Sequence, residues 1–214
     1  MTLIELLAYL VTGIFSGLLA GLLGLGGGVV IVPSLILVFG RLGFSPEWIA
    51  HLAVGTSLAT IIGTGGASTL AHQRRGAVRW ELVWRLAPGI VLGAWAGAAI
   101  AGLLPQEWLQ RLFGIFLIYV GVRMLLPRAE IHGASAPGPL GLTLMGAGIG
   151  TLSAIVGIGG GTLTVPYLAR IGLTMRQAVA SSSACGIPIA VAGAIGFMVT
   201  GWGKEGLPEM STGF

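Results

Sequence analysis

Long apolar stretches dominate the sequence and limit its fold more than any other feature. They cover residues 3–39, 48–70, 82–104, 108–126, 140–156 and 177–199. A helix needs about 20 consecutive apolar residues to cross a bilayer, and several of these stretches reach that length. Strands of a membrane barrel would alternate polar and apolar residues, which these stretches do not do. The sequence therefore predicts an all-α, polytopic helical membrane protein whose first partner is the lipid bilayer.

The low fraction of charged residues supports a membrane protein and argues against a soluble domain. Of the 214 residues, 55% are hydrophobic and only 8% are charged, whereas soluble domains carry roughly 25% charged residues. The net charge of +4 does not indicate nucleic-acid binding, because the basic residues stand mostly at the ends of apolar stretches. The lone cysteine, Cys185, excludes an intrachain disulfide and a thiolate metal cluster. We predict no nucleic-acid partner, no metal and no cofactor.

A glycine motif occurs twice inside the apolar sequence. The stretch "GLGGGVVIVP" begins at Gly24, and "GIGGGTLTVP" begins at Gly157, an offset of 133 residues. The stretches that follow also align, "AVGTSLAT" from Ala53 with "AVASSSAC" from Ala178, at an offset of 125. The pattern predicts two related repeats, each of which opens with a glycine-broken helix.

The repeats lead to a prediction for the domain organisation. Residues 1–126 form the first repeat, with about four transmembrane spans. Residues 127–139 are rich in Pro, Gly and Ser and form a cytoplasmic linker. Residues 140–214 form a partial second repeat of about two spans, which lacks the last two spans of the first repeat.

The basic residues predict an orientation if each glycine-broken element counts as one crossing. One side of the membrane then holds Arg74, Arg75, Arg79, Arg123, Arg128 and Lys204, and the other side holds Arg41, Arg170 and Arg176. The positive-inside rule places the first side in the cytoplasm, together with the N-terminus and the linker. The predicted location is the cell inner membrane.

A glycine turn inside a membrane has a chemical consequence. It frees backbone N–H and C=O groups, which are tolerated there only when they pack in protein or face a water-filled cavity. The helix that restarts after the turn presents its first N–H groups and the positive end of its dipole, which favour an anion. Thr162 and Thr164 could add hydroxyl donors in the second motif.

Close helix packing is the alternative explanation for the glycines. We favour it for the isolated glycines at small-xxx-small spacing, namely Gly13, Gly17, Gly21, Gly89, Gly93, Gly97, Gly146 and Gly150. It explains the contiguous, duplicated motif less well. The acidic residues add to this argument, since the sequence has no Asp and its seven Glu residues fall near span ends or in loops. A path without a buried carboxylate suits an anion better than a cation.

The doubled motif is similar to that of a known family. The stretches "GLLGLGGGVVIVPSL" and "AIVGIGGGTLTVPYL", each followed by a stretch like "AVGTSLA", resemble the sulfite exporter TauE/SafE family of bacterial and archaeal membrane permeases. The resemblance covers residues 12–200. It implies a multi-pass inner-membrane protein of two related halves that moves sulfur-containing anions. Family members usually have seven or eight spans, of which this chain shows about six.

The resemblance also implies a substrate path lined by the motif residues, with the aligned hydroxyl clusters behind them. The predicted residues are Gly24, Gly26, Gly27, Gly28, Pro33, Thr56, Ser57, Gly157, Gly159, Gly160, Gly161, Thr162, Pro166, Ser181 and Ser182. For the hydroxyl clusters, hydrogen bonding to a neighbouring helix or to their own backbone is an equally good interpretation.

Two functions from different classes follow from these features. The leading hypothesis is a secondary permease for a small, sulfur-containing anion such as sulfite or an organosulfonate, in which one half moves against the other. The alternative is a non-transporting membrane scaffold or assembly subunit, favoured by the short second half and the many small-residue packing surfaces. A homo-oligomer is compatible with both. We do not predict an enzyme, because no Ser/His/Asp set, His pair or Cys cluster stands out.

Overall fold

The predicted all-α class is confirmed by the structure, a computed structural model that describes residues 10–11, 13–14, 17, 27–125, 137–204 and 207. The helices are α1 (Gly28–Arg41), α2 (Ile49–Arg74), α3 (Trp80–Leu103), α4 (Gln106–Leu125), α5 (Pro139–Val156), α6 (Gly161–Arg170) and α7 (Met175–Gly201). Within the described ranges every regular element is a helix. The buried core lies where α2, α3, α5 and α7 meet.

Four of these helices, α2, α3, α5 and α7, are long and apolar enough to cross a membrane. The predicted fourth span, residues 108–126, forms α4, but α4 is not among the four and carries Glu107, Arg111 and Arg123. Most of the first predicted apolar stretch before residue 27, and most of the predicted linker, lie outside the described residues.

The closest helix packing is between α3 and α5, because glycines on both helices line the contact. A Cβ atom at Gly89, Gly93 or Gly97 on α3 would overlap a backbone carbonyl group of α5. Gly146 and Gly150 on α5 meet the α3 backbone in the same way. The packing interpretation of these five glycines is therefore confirmed. The α3 glycines meet successively later residues of α5, so the two helices run parallel.

The two long helices α2 and α7 cross in opposite directions. In the first half of α2, Leu58 contacts Gly193, which lies in the second half of α7. Further along α2, the hydroxyl of Ser68 donates to that of Ser183, nearer the start of α7, at 3.1 Å. Contacts that advance along one helix and retreat along the other show that α2 and α7 are antiparallel.

One end of the bundle, which we name the arginine end, is defined by Arg74, Arg75, Arg79 and Arg176. The Arg176 guanidinium donates to the carbonyl of Arg75 at 3.0 Å, which brings the start of α7 to the end of α2. The backbone N–H of Arg79 donates to the Ser181 hydroxyl at 2.9 Å, which brings the start of α3 there as well. Because α5 runs parallel to α3, it also begins at the arginine end.

The opposite end is held together by His51 in the first turn of α2. The buried ring places Nε2 at 3.0 Å from the Ala101 carbonyl and 3.1 Å from the Leu104 carbonyl, and Nε2–H donates to them. Carbonyl groups at the end of a helix lack an intrahelical donor, so His51 caps α3. Gln106 at the start of α4 accepts a hydrogen bond from the Ala50 N–H at 2.8 Å. The starts of α2 and α4 thus meet the end of α3.

The sequence prediction counted the glycine-broken α5–α6 segment as one membrane crossing. This prediction is wrong, because the segment begins and ends at the same end of the bundle. α5 begins at the arginine end, and only four residues separate the end of α6 from the start of α7 at the same end. Arg170 and Arg176 therefore lie on the same side as Arg75. Lys204, which follows α7 and stands 5.7 Å from the Trp48 ring, lies at the opposite end.

The backbone of the glycine turn explains the reversal. Gly157 and Gly160 have positive φ angles of 74° and 75°. These left-handed conformations do not continue an α-helix, and they are accessible to glycine at little cost. The chain therefore turns back toward the arginine end instead of continuing across.

The α3–α5 contact yields a test of the glycine packing. Replacing Gly93 with Ala should lower the stability by about 1–3 kcal/mol, because the new Cβ would overlap the backbone of Ala147. Gly114 on α4 is the matched control, since a Cβ there meets no atom within 4 Å. Ala at that position should be neutral or stabilising by up to about 1 kcal/mol. Thermal unfolding in detergent measures both changes, and equal melting temperatures for the two variants would contradict this packing.

Candidate functional site

The second glycine turn lies near the middle of the α2–α7 crossing. A Cβ at Gly159 would come within 2.9 Å of Ile61, which is in the middle of α2. A Cβ at Gly186, in the middle of α7, would lie 2.6 Å from the Gly159 carbonyl oxygen. The turn thus lies midway along two helices that are each long enough to span a membrane.

The turn ends one helix and starts the next. Gly157 is the C-cap of α5, and Gly160 is the N-cap of α6. Gly161 and Thr162, the first residues of α6, are half-buried. The Gly160 carbonyl accepts the Thr164 N–H at 2.7 Å, and no side chain caps the N-terminus of α6 in the part of the chain that is described. The positive end of the α6 dipole thus lies inside the protein.

The first glycine motif packs directly on the second. Gly28 is the first residue of α1, and a Cβ there would overlap the Gly157 carbonyl oxygen and the backbone of Ile158. Gly27, just before it, has an ordinary right-handed backbone with φ of −59°. The structure therefore brings the described parts of both motifs into backbone contact. Two further predicted residues of the first motif, Gly24 and Gly26, lie outside the described residues.

The hydroxyl cluster on α2 contacts the turn through one residue. The buried Ser57 hydroxyl donates to the Gly157 carbonyl at 2.8 Å. This bond joins residues 100 positions apart and satisfies a carbonyl that the turn has removed from the helical ladder. The neighbouring Thr56 is half-buried.

The remaining predicted site residues have different surroundings. Ser181 accepts the Arg79 N–H at the arginine end, so it joins α3 to α7. Ser182 is 1% exposed, and its hydroxyl has no hydrogen-bond partner among the described residues. Pro33 on α1 is half-buried, and Pro166 on α6 is exposed.

One residue at the turn, Gly186, was missing from the predicted site, and Thr164 was named in the sequence only as a possible hydroxyl donor. Gly186 allows the α7 backbone to approach Gly159, a role that only the packing of α7 reveals. Thr164 is fully buried, and its hydroxyl has no hydrogen-bond partner in the described part of the chain. A signal for Thr164 exists in the sequence, because the first motif has Ile31 at the matching position.

The charged groups of the described residues lie away from the turn. Glu81 and Glu107 stand in the first turns of α3 and α4, where they pair with exposed Arg85 at 2.7 Å and Arg111 at 3.7 Å. Glu47 precedes α2. Across the described ranges, no group of three His, Cys, Asp or Glu side chains could hold a metal ion. The turn therefore presents neutral donors and a helix start.

Comparison with known proteins identifies the chain's relatives. Residues 9–208 match the family described as "Sulfite exporter TauE/SafE". The chain belongs to this family. The resemblance in the glycine motifs is thus confirmed, and the TauE/SafE match extends across nearly the whole chain.

Curated relatives of this TauE/SafE chain are named as transporters. A "Probable membrane transporter protein" of Haemophilus influenzae is 35% identical over 98% of this chain and 80% of the relative. One of Xylella fastidiosa is 33% identical over 78% of this chain and 64% of the relative. YunE of Bacillus subtilis is 29% identical over 89% of this chain and 77% of the relative. No solved structure matches the chain. This TauE/SafE member is therefore a membrane protein of a transporter family.

The Ser57 contact yields a test of how the turn is held. Replacing Ser57 with Ala should lower the free energy of unfolding by about 1–3 kcal/mol, because it leaves the buried Gly157 carbonyl without its donor. Ser34 is the matched control, since its hydroxyl only donates back to the Val30 carbonyl of its own helix. Thermal unfolding of the two Ala variants should show the larger loss for Ser57. Equal losses of stability in the two variants would show that the Ser57–Gly157 hydrogen bond stabilises the protein no more than a bond within one helix.

Proposed function

We propose that this TauE/SafE chain acts as a secondary permease for a small anion such as sulfite or an organosulfonate. The observation that carries the proposal is the interruption of an apolar segment midway along α2 and α7, where α6 starts inside the protein. Helix starts favour negative charge. Broken helices near the bilayer midplane form the substrate sites of many secondary transporters. Transport, and not catalysis, is the activity that this geometry supports best.

The proposed substrate path follows the contacts of the turn. Its core is the segment 157–162 together with Gly28, and Ser57 stands behind them on α2. Ser182 on α7 belongs to the proposed path as the counterpart of Ser57 at offset 125. Gly24 and Gly26 belong to the proposed path by their place in the first motif. Ser181 contributes less directly to the path, because its hydroxyl accepts the Arg79 N–H at the arginine end.

We further propose that the two repeats are related by a two-fold axis through the α2–α7 crossing. The offset of 125 residues pairs Leu58 with Ser183 and Ser68 with Gly193. Leu58 contacts Gly193, and Ser68 contacts Ser183, so exchanging equivalent residues reproduces the same pair of contacts. The antiparallel crossing is what an inverted repeat requires, and movement of one repeat against the other would alternate access to the turn.

The charges support a cytoplasmic location for the arginine end in the inner membrane. Six described basic residues lie toward it, namely Arg74, Arg75, Arg79, Arg85, Arg170 and Arg176, whereas Arg41, Arg111 and Lys204 lie toward the opposite end. The positive-inside rule favours this orientation. The linker between α4 and α5 would then be cytoplasmic. The predicted cytoplasmic N-terminus lies outside the described residues.

Flux through reconstituted liposomes tests the proposed function. We expect radiolabelled sulfite or an organosulfonate to be transported by the wild-type protein and by Thr162→Ser, which keeps the hydroxyl. Thr162→Asp should abolish flux, because a carboxylate at the start of α6 repels the anion in a low-dielectric site. Circular dichroism and thermal unfolding establish that each variant is folded. Absence of flux of sulfite, sulfonates and carboxylates by the wild-type protein would overturn the proposal.

An uncovered surface is the observation that favours the alternative of a membrane scaffold subunit. The offset of 133 residues pairs Gly146 and Gly150, which α3 covers, with Gly13 and Gly17. A Cβ at Gly13 or Gly17 meets no atom within 4 Å. On α2, Ala71 is exposed, although its counterpart at offset 125, Gly196 on α7, packs against α3. A helix like α3 from a second copy of the chain would fit this surface.

Cross-linking in native membranes shows whether this surface forms a dimer, and anion flux then separates the two functions. Ala71→Cys in a Cys185→Ala background places the only thiol on the uncovered surface, and Leu92→Cys, on an exposed face of α3, is the control. The permease proposal predicts anion flux whether or not Ala71→Cys forms an oxidised dimer. Strong dimer formation by Ala71→Cys alone, together with absent anion flux, would favour the scaffold.

A further inference from the structure

The two glycine motifs differ in the side chain that stands beside the start of the short helix. The offset of 133 residues pairs Gly160 with Gly27 and Thr164 with Ile31. A Cβ at Gly160 would lie 3.1 Å from the hydroxyl oxygen of Thr164, and a Cβ at Gly27 would lie 2.9 Å from the Cδ1 methyl of Ile31. The same position is therefore filled by a hydroxyl in the second motif and by a methyl group in the first.

Among the described helical threonines, Thr164 and Thr69 have a buried hydroxyl without a hydrogen-bond partner, and only Thr164 stands beside the second glycine turn. A helical threonine commonly donates to the carbonyl four residues earlier, as Thr151 does to Ala147 and Thr200 does to Gly196, both at 2.9 Å. The Thr164 side chain is 0% exposed, and its hydroxyl has no hydrogen-bond partner within the described residues. A buried donor without an acceptor is costly, so its retention beside an uncapped helix start calls for an acceptor from a ligand.

The described part of the first motif, residues 27–33, has no hydroxyl at the matching positions. Val29 and Ile31 stand where the second motif has Thr162 and Thr164. The start of α1 also leaves no room for a ligand at Gly28, because Gly28 packs against the backbone of Gly157 and Ile158. The first motif therefore provides packing, whereas the second combines a helix start with a buried hydroxyl.

We propose that the protein has a single oxyanion site, formed at the start of α6 by the second motif alone, in which the Thr164 hydroxyl donates a hydrogen bond to the bound anion. This inference rests on the proposed permease function and narrows it to one motif. An oxyanion such as sulfite or a sulfonate presents acceptor oxygens, which match a hydroxyl donor and the positive end of a helix dipole. The hydroxyl of Thr164 thus contributes to anion selectivity.

Binding of sulfite and methanesulfonate to the purified protein in detergent tests the inference, with calorimetry for Kd and stoichiometry. We expect one anion per chain. Thr164→Val keeps the shape of the side chain and removes the donor, so it should raise Kd by about tenfold or more, as expected for a hydrogen bond to a charged group. Thr164→Ser should bind like the wild type. Ile31→Val is the matched control in the first motif and should leave Kd unchanged.

The melting temperature without anion provides a second readout. Since Thr164→Val removes an unpartnered buried hydroxyl, its melting temperature should equal or exceed that of the wild type. A purely structural role would lower it and leave Kd unchanged, which would overturn the inference. Equal anion binding by Thr164→Val and wild type, or two anions per chain, would also overturn it. A wild type that neither binds nor transports any anion would instead overturn the proposed function.

Discussion

Direct contact between backbones at glycines is the interaction on which the rest of this structure depends. Lipid tails are as apolar as leucine, so helices in a membrane gain little from hiding apolar side chains and rely on close packing. Glycines on α3 and α5 allow the two backbones to touch, and Gly28 and Gly186 close around the second glycine turn. The turn exposes backbone groups that lipid would not tolerate. It persists because α1, α2 and α7 cover it and Ser57 satisfies one of its carbonyls.

The same contacts explain how one sequence pattern acquires two roles. Gly28 uses the absence of a side chain to pack against the second turn, whereas Gly157 and Gly160 use it to adopt positive φ angles that reverse the chain. Equivalent serines differ as well. Ser57 is bonded to the turn, and Ser182, its counterpart at offset 125, is buried without a partner among the described residues. The two equivalent serines therefore have different hydrogen-bond surroundings.

Much of the fold was predictable because apolar length is a property of the sequence. The stretches 48–70 and 82–104 correspond to α2 and α3 within a few residues. The direction of the α5–α6 segment was predicted wrongly, because a glycine-broken element was counted as one crossing. The stretch "GIGGG" does not predict that Gly157 and Gly160 reverse the direction of the chain, because glycine adopts positive and negative φ angles about equally well. The site was predictable as a pattern of motifs, but the place of each hydroxyl was not.

The sequence by itself determined the class of protein, the helical spans and the family, because hydrophobicity, charge and the duplicated glycine motif are local properties of the chain. Only the tertiary structure decided that the two motifs pack against each other, and which basic residues share one end of the bundle. Those outcomes depend on contacts between residues about a hundred or more positions apart, such as Ser57 with Gly157 and Arg75 with Arg176. Packing selects among the conformations that glycine leaves open, and no local pattern contains that choice.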